Sequence, residues 1–541
     1  MRILAFSVAH DSSVCCMNNG EIEFFCKEER VSRKKRDQVP FKSLELLKQN
    51  LKGNIDHVLY CTPSNSQKDV ENIFSIYVNK FFNKKLENFS ELKHHDCHMA
   101  LAYANSGFDE ALVFVIDRNG SSFFIDGQEV ARECESVYKV GTKEISYLQK
   151  NFFVTGPTSQ KHIIKENIKN YYDCEIKCDS EFSIVKVYEA ATTLIGQSPL
   201  ENGKTMGLAS YSNDIKFEPL FYNNLPIGEK FTDSVGPGLG GTFFDSLDKL
   251  TNEVNETDYK FYADKAKHVQ TETQHQVLEL IQKHVESTGI KNICIVGGYG
   301  LNVVANNYYI KNLPNANFYF EPTADDTGIS IGAAILKNLY ETNIWSKPIK
   351  DNFFHFYQKE SIVNGKSSNT SDIVDLLLDG KAVGIFDGAP EAGPRALGHR
   401  SILFDPRHKD SKEIINKVKN REWYRPFAGI ILEEHFEEYF DTLGYKQSKY
   451  MTINFEAKSH TKDIAPGIIH VDNTCRIQTV NKGFFYEILQ EFYKKTNCPM
   501  LLNTSLNLAG QPLVQTKLEA IDMLNNSKLD NIYFVEDKIL I

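Results

Sequence analysis

The sequence predicts a mixed α/β protein with two or three domains. Its 541 residues are too many for a single compact core. Two stretches in the first half each combine an apolar strand, a polar turn with an aspartate and another strand, and Asp11 and Asp117 lie in the two turns. Because turns of this kind commonly face a nucleotide phosphate, the repeat indicates a duplicated α/β module.

Periodicity places further elements around this repeat. The chain begins with a buried strand at 2–8, and KNICIVGGYGLNVVANN predicts a strand, a Gly-Gly turn and a helix. A polar, Ser/Asn-rich stretch follows residue 343, so we assign 1–350 and 351–541 to separate domains. The predicted helices are at about 41–51, 67–82, 182–196, 264–287 and 328–341.

Composition narrows the class of protein. Apolar residues make up 41% and charged residues 24%, which is ordinary for a globular protein. The net charge of −10 argues against a nucleic-acid partner, and no apolar run reaches the ~18–20 residues of a membrane span. The eleven cysteines form no regular frame of CxxC pairs. We therefore expect a cytoplasmic protein with reduced thiols and neither nucleic-acid nor membrane partners.

The segment HHDCHMALAYANS at 94–106 is a candidate metal site. His94 and His98 are one helical turn apart, a spacing at which two imidazoles can share one metal ion. The zinc-protease pattern HExxH would need glutamate where His95 stands, so the general base of that mechanism is missing. A histidine-rich surface turn is the alternative. Asp325 and Asp326 precede a glycine-containing helix start, so one can cap the helix while the other binds metal.

Two glycine-rich segments could approach a phosphate. GKTMGLASYS at 203–212 places Lys204 between glycines but lacks the spacing of a Walker motif. GPGLGG at 236–241 has no strand and helix around it and is interpreted as a flexible loop.

The second half carries many cations near turns. EAGPRALGHR at 391–400 holds Arg395 and Arg400 beside glycine and proline, HVDNTCRIQTV at 470–480 adds Arg476 on a predicted strand, and Asn503 and Ser505 follow an apolar strand. Runs of charge are usually solvated, but arginines beside glycine, proline and apolar strands line concave backbone. Since guanidinium groups bind phosphate and carboxylate bidentately, the pattern predicts a site for a polyphosphate and a second small anion.

Ten motifs stand in a fixed order along nearly the whole chain: HDSS (10–13), EERVSRKK (28–35), HHDCH (94–98), GKTMGLASY (203–211), GGYGLN (297–302), DDTGISIGAA (325–334), EAGPRALGHRSI (391–402), REWYRPFA (421–428), HVDNTCRIQTV (470–480) and NTSLN (503–507). Together they make the chain resemble the O-carbamoyltransferase family, which includes nodulation-factor, aminoglycoside and cephalosporin carbamoyltransferases. Single motifs are weak, but ten in order are specific.

The resemblance implies two fused modules. The N-terminal one is similar to the universal tRNA threonylcarbamoyl-transfer protein, with the duplicated fold of actin, Hsp70 and sugar kinases, and the C-terminal one is a YrdC-like α/β domain. In the family, the C-terminal module converts carbamoyl phosphate and ATP to carbamoyladenylate and pyrophosphate. The N-terminal module then passes the carbamoyl group to a hydroxyl of a sugar-containing small molecule or glycan and leaves AMP. The sequence does not fix the oligomeric state and is compatible with a homodimer.

The resemblance also assigns roles to residues. A divalent metal, iron in the better-known relatives, would be held by His94, His98 and Asp326, and Mg²⁺ would accompany ATP. His10 would be the base or orienting group for the acceptor hydroxyl. Lys204, Gly207, Gly298 and Asn302 would line the nucleotide cleft of the first module. The residues implied to bind carbamoyl phosphate and ATP are Arg395, Arg400, Lys419, Arg425, Arg476, Asn503 and Ser505.

Four positions in three motifs depart from the family pattern. Arg118 replaces the usual glycine in DRNG, GGYGLN has Tyr299 and Gly300 where GGVALN is commoner, and Asn473 replaces a glycine.

Two functions other than O-carbamoyl transfer are also compatible with the sequence. One is threonylcarbamoyl transfer to tRNA, against which the acidic charge and the fused YrdC-like half argue. The other is a non-catalytic nucleotide-binding homologue, suggested by the DRNG departure.

Overall fold

The computed structural model describes residues 1–63, 67–87, 92–155, 160–179, 183–213, 220–222, 225–226, 254–346 and 355–541. The chain forms two compact units. Unit 1 contains Met1–Glu28, Arg36–Ala305 and Asn312–Asp351, and unit 2 contains Glu29–Lys35, Asn306–Lys311 and Asn352–Ile541. The predicted boundary between 350 and 351 and the GPGLGG segment lie outside the described residues.

The first sheet of unit 1 has the strand order β3-β2-β1-β4. Its strands are β1 (Arg2–Ser7), β2 (Ser13–Asn18), β3 (Glu21–Lys27) and β4 (His57–Cys61). β1, β2 and β3 are antiparallel, whereas β4 runs parallel to β1. The β2–β3 hairpin turns at Asn19 and Gly20, whose φ angles of 49° and 80° suit a two-residue turn of this kind.

The second sheet repeats this arrangement. β5 (Glu110–Ile116), β7 (Gln128–Gly141) and β8 (Ile145–Val154) are antiparallel, and β12 (Asn292–Val296) runs parallel to β5. The repeat confirms the predicted duplicated α/β module. The second copy is larger, because β6 (Ser122–Ile125) pairs with the long β7 and one further strand extends the sheet at each edge. The remaining strands of unit 1 are β9 (Glu175–Asp179), β10 (Phe221–Tyr222), β11 (Leu225–Pro226) and β13 (Asn317–Phe320).

The five helices predicted from periodicity are all present, with ends that differ by a few residues. The helices up to residue 346 are α1 (Glu28–Ser32), α2 (Phe41–Asn50), α3 (Gln67–Phe82), α4 (His94–Ser106), α5 (Lys161–Tyr171), α6 (Ile184–Leu194), α7 (Asn202–Ala209), α8 (Lys260–Thr288), α9 (Val303–Asn312) and α10 (Ile329–Thr342). α4 and α10 cross so closely that a Cβ on Gly332 would lie 1.9 Å from the carbonyl oxygen of Cys97. Only glycine allows this approach.

Unit 2 is built on one mixed sheet with the strand order β14-β23-β22-β15-β16-β21-β17-β20-β19-β18. At its centre, Ala428 pairs with Arg476 on one neighbouring strand and with Asn503 on the other. Its strands are β14 (Lys366–Ser367), β15 (Val383–Phe386), β16 (Arg400–Phe404), β17 (Ala428–Leu432), β18 (Phe440–Asp441), β19 (Asn454–Ala457), β20 (Thr474–Val480), β21 (Met500–Ser505), β22 (Asn531–Phe534) and β23 (Ile539–Leu540). Its helices are α11 (Thr370–Leu378), α12 (Ser411–Lys419), α13 (Phe436–Tyr439), α14 (Thr461–Ile464), α15 (Phe484–Thr496) and α16 (Lys517–Asn525).

The segment Glu29–Lys35 belongs to unit 2 although it lies near the start of the sequence. Arg30 donates to the carbonyl oxygens of Glu391 and Gly393, each at 3.3 Å. Arg33 donates to the carbonyl oxygen of Leu513 at 2.7 Å. Unit 2 therefore includes chain that precedes most of unit 1.

None of the eleven cysteines, all of which lie in the described residues, forms a disulfide bond. Within the described ranges, no helix is long and apolar enough to cross a membrane.

Candidate active sites

Four buried side chains of unit 1 form a compact group, which we call the His/Asp cluster: His94, His98, Asp117 and Asp326. One ligand atom from each lies within 4.8 Å of those of the others. His94 Nε2 is 3.5 Å from Asp117 Oδ2 and 3.4 Å from Asp326 Oδ1, and His98 Nε2 is 3.6 Å from Asp326 Oδ1. The structure therefore gathers the three predicted ligands and adds Asp117.

Local structure explains how the cluster forms. α4 begins at His94, so His94 and His98 are one turn apart as predicted. Asp325 caps the short 3₁₀ turn that precedes α10, and its side chain accepts a hydrogen bond from the Thr327 amide. Asp325 is thus the capping member of the pair, and Asp326 is left to face the histidines; metal binding by Asp326 stays a prediction.

The donor set fits a divalent cation. Within the described residues, the Nδ1 and Nε2 atoms of both His94 and His98 are buried without a hydrogen-bond partner. Such orphaned atoms are rare unless they serve a ligand. Burial would raise the pKa values of Asp117 and Asp326, but the adjacent histidines outweigh it and hold both below the ordinary range. Two imidazoles and two carboxylates suit first-row divalent metals.

Asp117 was not among the predicted ligands. The sequence placed it in a phosphate-facing turn, because it follows strand β5 as Asp11 follows β1. Its position directly after a buried strand was the one signal in the sequence that pointed to a functional role. The packing of β5 against α4 is needed to show that Asp117 lies next to His94.

His10 lies at the edge of the cluster. Its Nε2 is 3.9 Å from Asp326 Oδ2, and its Nδ1 is 3.3 Å from Asp11 Oδ2. Burial alone would lower the pKa of His10, but the carboxylates of Asp326 and Asp11 outweigh it and raise this pKa to about 9. Asp11 is itself paired with Lys27 at 2.7 Å. The imidazole keeps 32% of its surface exposed, so it can meet a ligand.

The predicted nucleotide-cleft residues have distinct surroundings. The Gly298 amide donates to Asp117 Oδ1 at 3.0 Å, which ties this residue to the His/Asp cluster. Asn302 exchanges amide hydrogen bonds with Gln270 of α8. Lys204 lies within α7, where its Nζ is 2.6 Å from Gln197 Oε1, and Gly207 is buried in the same helix.

The departures from the family pattern also have structural partners. Arg118 Nε donates to the buried carboxylate of Glu189 at 2.9 Å, and the Tyr299 hydroxyl is 2.8 Å from Thr273 Oγ1. Asn473 has φ 63°, a left-handed conformation in which asparagine is the usual substitute for glycine.

Unit 2 holds a second constellation, which we call the cation cluster: Lys35, Arg395, Lys419, Arg421, Arg425 and Arg476. Burial lowers the pKa of Arg421 well below its ordinary value, and the charges of Arg425 and Arg476 lower it further. Burial and the nearby Arg395 and Arg425 do the same to Arg476. Burial and neighbouring cations, including Lys35, lower the pKa of Lys419. A group of mutually repelling cations of this kind would be stabilised by an anionic ligand.

Polar contacts hold the other predicted residues of unit 2 near this cluster. Lys419 Nζ donates to the carbonyl oxygen of Ser505 and lies 3.0 Å from Ser505 Oγ. Asn503 lies within β21 rather than after it, and its amide donates to the carbonyl oxygen of Ala396 at 3.1 Å. The structure thus brings Asn503 and Ser505 together with Lys419 and the segment around Arg395. Lys35 and Arg421 were not among the predicted site residues.

Arg400 requires a correction. Its side chain is fully buried, and its guanidinium donates to the carbonyl oxygens of Asp387, His399, Gly388 and Gln515 at 2.7–3.2 Å. It also stacks on the Phe386 ring at 3.4 Å. These contacts use the guanidinium to join backbone segments. Arg400 therefore has a structural role in place of the expected phosphate contact.

The surrounding segment is ordered by a carboxylate. Glu391 Oε1 accepts hydrogen bonds from the amides of Leu397 and His399 at 2.6 and 2.8 Å. Gly398 between them has φ 124°, a conformation that disfavours other residues. The EAGPRALGHR segment therefore folds back so that its later backbone amides bind the Glu391 carboxylate.

Comparison with known proteins defines the class. Residues 374–540 match the model of the carbamoyltransferase C-terminus, and residues 60–221 and 237–335 match that of the carbamoyltransferase N-terminus. The protein is a carbamoyltransferase enzyme.

The chain is also similar to individual proteins. Nodulation protein NolO of Bradyrhizobium diazoefficiens is 26% identical over 82% of this chain and 77% of its own. An uncharacterized protein of Methanocaldococcus jannaschii is 29% identical over 98% of this chain and 97% of its own. Full-length HypF, solved in a phosphate- and nucleotide-bound form, aligns over 64% of this chain and 56% of its own at 13% identity and a TM-score of 0.40. The chain belongs to the O-carbamoyltransferase family.

Proposed function

We propose that the protein transfers a carbamoyl group from carbamoyl phosphate, activated with ATP, to a hydroxyl of a sugar-containing small molecule or glycan. The observation that carries this proposal is the cation cluster of unit 2. Lys419 is buried and Arg421 and Arg476 are half-buried, and neighbouring cations lower the pKa values of all three, so an anionic ligand would relieve their mutual repulsion. The His/Asp cluster of unit 1, with His10 beside it, supports a separate transfer step.

The first half-reaction is assigned to unit 2. A carbamoyl oxygen becomes bonded to the α-phosphorus of ATP, and pyrophosphate leaves. The phosphate of carbamoyl phosphate must also leave for the atoms to balance, so one water is consumed and inorganic phosphate is released. Negative charge develops on the phosphate oxygens, and preorganised cations stabilise it. Each charge-assisted hydrogen bond contributes roughly 1.5–3 kcal/mol, so several arginines are needed.

The second half-reaction is assigned to unit 1. The acceptor oxygen bonds to the carbamoyl carbon, the bond from that carbon to the AMP oxygen breaks, and the hydroxyl proton is released. His10 would orient the acceptor hydroxyl, because its imidazole lies at the edge of the His/Asp cluster with part of its surface exposed. Its raised pKa keeps the imidazole protonated near neutral pH, so it would receive the proton only when a bound cation offsets the charge of Asp326. A divalent cation held by the four cluster residues would supply positive charge for the phosphate of the adenylate.

The test follows both products. The protein is incubated with ATP and carbamoyl phosphate, and pyrophosphate and inorganic phosphate are measured. Hydroxylated sugars, nucleotide sugars and antibiotics are then screened by mass spectrometry for a product in which one carbamoyl group replaces one proton. We expect pyrophosphate release that requires carbamoyl phosphate. Failure to form any adenylate would refute the proposal, whereas replacement of carbamoyl phosphate by threonine with bicarbonate would favour the tRNA alternative.

A further inference from the structure

The helix α4 is anchored by the two residues that follow His94. His95 Nδ1 is 2.8 Å from Ser136 Oγ. Asp96 accepts hydrogen bonds from the hydroxyls of Tyr138 and Tyr147 at 2.8 and 3.1 Å. His95 and Asp96 are buried. The ligand helix is therefore fixed to strands β7 and β8 by side chains that take no part in the His/Asp cluster.

Lys150 of β8 lies at the centre of these contacts. Its Nζ is 2.6 Å from Glu133 Oε1 and 3.3 Å from both Ser136 Oγ and the Tyr138 hydroxyl. The side chains of Lys150 and Glu133 are both fully buried. A buried ion pair is often no more stabilising than an apolar pair of the same size, so stability alone does not explain this one.

The second carboxylate oxygen of Glu133 reaches the turn that carries Asp117. Glu133 Oε2 accepts a hydrogen bond from the Ser121 amide at 3.1 Å. Ser121 Oγ in turn accepts a hydrogen bond from the backbone amide of His94 at 2.9 Å. Because α4 begins at His94, Ser121 satisfies one of the amides left open at the helix start. One continuous chain of contacts thus joins Lys150, Glu133, Ser121 and His94.

The backbone around Gly120 and Glu133 is tightly held by hydrogen bonds and close packing. The Gly120 amide donates to the carbonyl oxygen of Glu133 at 2.7 Å, and the Glu133 amide donates to that of Ser121 at 3.1 Å. A Cβ on Gly120 would lie 2.5 Å from His95 Nε2 and 2.8 Å from Glu133 Cβ. The Asp117 turn and the start of α4 are therefore packed directly onto Glu133.

We propose that the Glu133 side chain, through the hydrogen bond that its Oε2 accepts from the Ser121 amide, is a positioning device for the His/Asp cluster, which fixes Asp117 and His94 relative to each other through Ser121. Lys150 compensates the buried charge of Glu133. This inference rests on the proposed function in one respect, namely that the cluster binds a divalent cation. Glu133 is a positioning residue, since it does not belong to the cluster. Outer partners of this kind commonly change metal affinity about 10–100-fold when they are removed.

The experiment compares two double variants of the full chain. Lys150→Met with Glu133→Gln removes both charges but keeps an oxygen for the Ser121 amide. Lys150→Met with Glu133→Leu removes both charges and that oxygen. Neither variant leaves an unpaired buried charge, which single substitutions would do. Ser121→Ala, with its neighbour Ser122→Ala as the control, tests the link to His94 without touching the ion pair.

Two readouts are needed. The first is Co²⁺ affinity measured from the visible absorption spectrum, and the second is hydrogen exchange of the Ser121 and His94 amides without metal. We expect the Glu133→Leu double variant to bind Co²⁺ about 10–100-fold more weakly and to exchange both amides faster. The Glu133→Gln double variant should stay close to the wild-type protein. Ser121→Ala should weaken Co²⁺ binding and speed exchange at His94, and Ser122→Ala should do neither.

The possible failures are distinguishable. Equal affinity and equal exchange in the two double variants would overturn the positioning role. A wild-type protein that binds no Co²⁺ would overturn the metal centre of the proposed function, and hydrogen exchange would still decide whether Glu133 fixes the two segments. If the Glu133→Leu double variant does not fold, the comparison of Ser121→Ala with Ser122→Ala decides the matter.

Discussion

Asp117 Oδ2 lies 3.5 Å from His94 Nε2, although the two residues belong to different elements, the end of β5 and the start of α4. This approach turns a pair of histidines with one carboxylate into a four-residue cluster. It also ties the cluster to the predicted nucleotide cleft, because the Gly298 amide donates to the other carboxylate oxygen of Asp117.

The first prediction concerns Asp117 as a metal ligand. Asp117→Asn should lower the affinity for Co²⁺ at least about tenfold, because the cluster loses one of its two anionic ligands. Asp325→Asn is the matched control, since Asp325 adjoins Asp326 but caps the 3₁₀ turn. Titration with Co²⁺ and elemental analysis of the purified proteins measure the effect. Equal affinity in the two variants would remove Asp117 from the ligand set.

The second prediction separates the half-reactions. Arg395→Ala should abolish pyrophosphate release that depends on carbamoyl phosphate, because the cation cluster loses a charge beside Arg476. His94→Ala should leave pyrophosphate release nearly intact and stop transfer to the acceptor, because His94 belongs to the His/Asp cluster. A coupled pyrophosphate assay and mass spectrometry of the acceptor report the two steps. The reverse pattern would show that the assignment of steps to units is wrong.

The third prediction is that the cation cluster lowers the stability of the ligand-free protein and binds an anion. Arg476→Met should raise the free energy of unfolding without ligand by about 1–2 kcal/mol, because it removes a half-buried charge repelled by Arg395 and Arg425. The same variant should be stabilised less by carbamoyl phosphate than the wild-type protein, since ligands stabilise only the state that they bind. Urea unfolding with and without carbamoyl phosphate measures both quantities. A variant that is less stable without ligand and equally stabilised by it would contradict this account.

The fourth prediction tests the structural role of Arg400. Arg400→Met should destabilise the protein by about 2–4 kcal/mol, because four backbone carbonyl oxygens lose their donor in a buried setting. Arg400→Lys should restore little, since an ammonium cannot reproduce the planar fork. At a temperature where the variant is folded, the KM for carbamoyl phosphate should stay close to the wild-type value. A large rise in KM with unchanged stability would return Arg400 to the ligand site.

The sequence predicted those parts of the site that depend on local spacing. His94 and His98 share a helical turn, and Asp325 and Asp326 stand at a helix start, so their roles follow from periodicity and capping. The membership of Asp117 depends on how β5 packs against α4, which no local pattern encodes. The contacts of Arg400 with distant carbonyl oxygens likewise depend on packing that no local pattern encodes.

Arg400 and Arg395 look alike in the sequence, because both stand beside glycine in one short segment. What separates them is the start of β16 at Arg400, which places its guanidinium over Phe386 and among carbonyl oxygens from distant parts of unit 2. Residue type alone therefore could not show that the Arg400 guanidinium is engaged by backbone carbonyl oxygens. The sequence also could not predict that Lys35 contributes to the cation cluster, because Lys35 lies more than three hundred residues before Lys419.

The segment Glu29–Lys35 also bears on how the protein is made. It leaves the ribosome hundreds of residues before the carbonyl groups that receive Arg30 and Arg33, which are at Glu391, Gly393 and Leu513. Translation at about 5–20 residues per second separates these partners by tens of seconds. The contacts of this segment within unit 2 must therefore wait until Leu513 has been synthesised. A fragment that begins at residue 351 would lack this segment and its contacts, so the C-terminal half is not a self-contained product of translation.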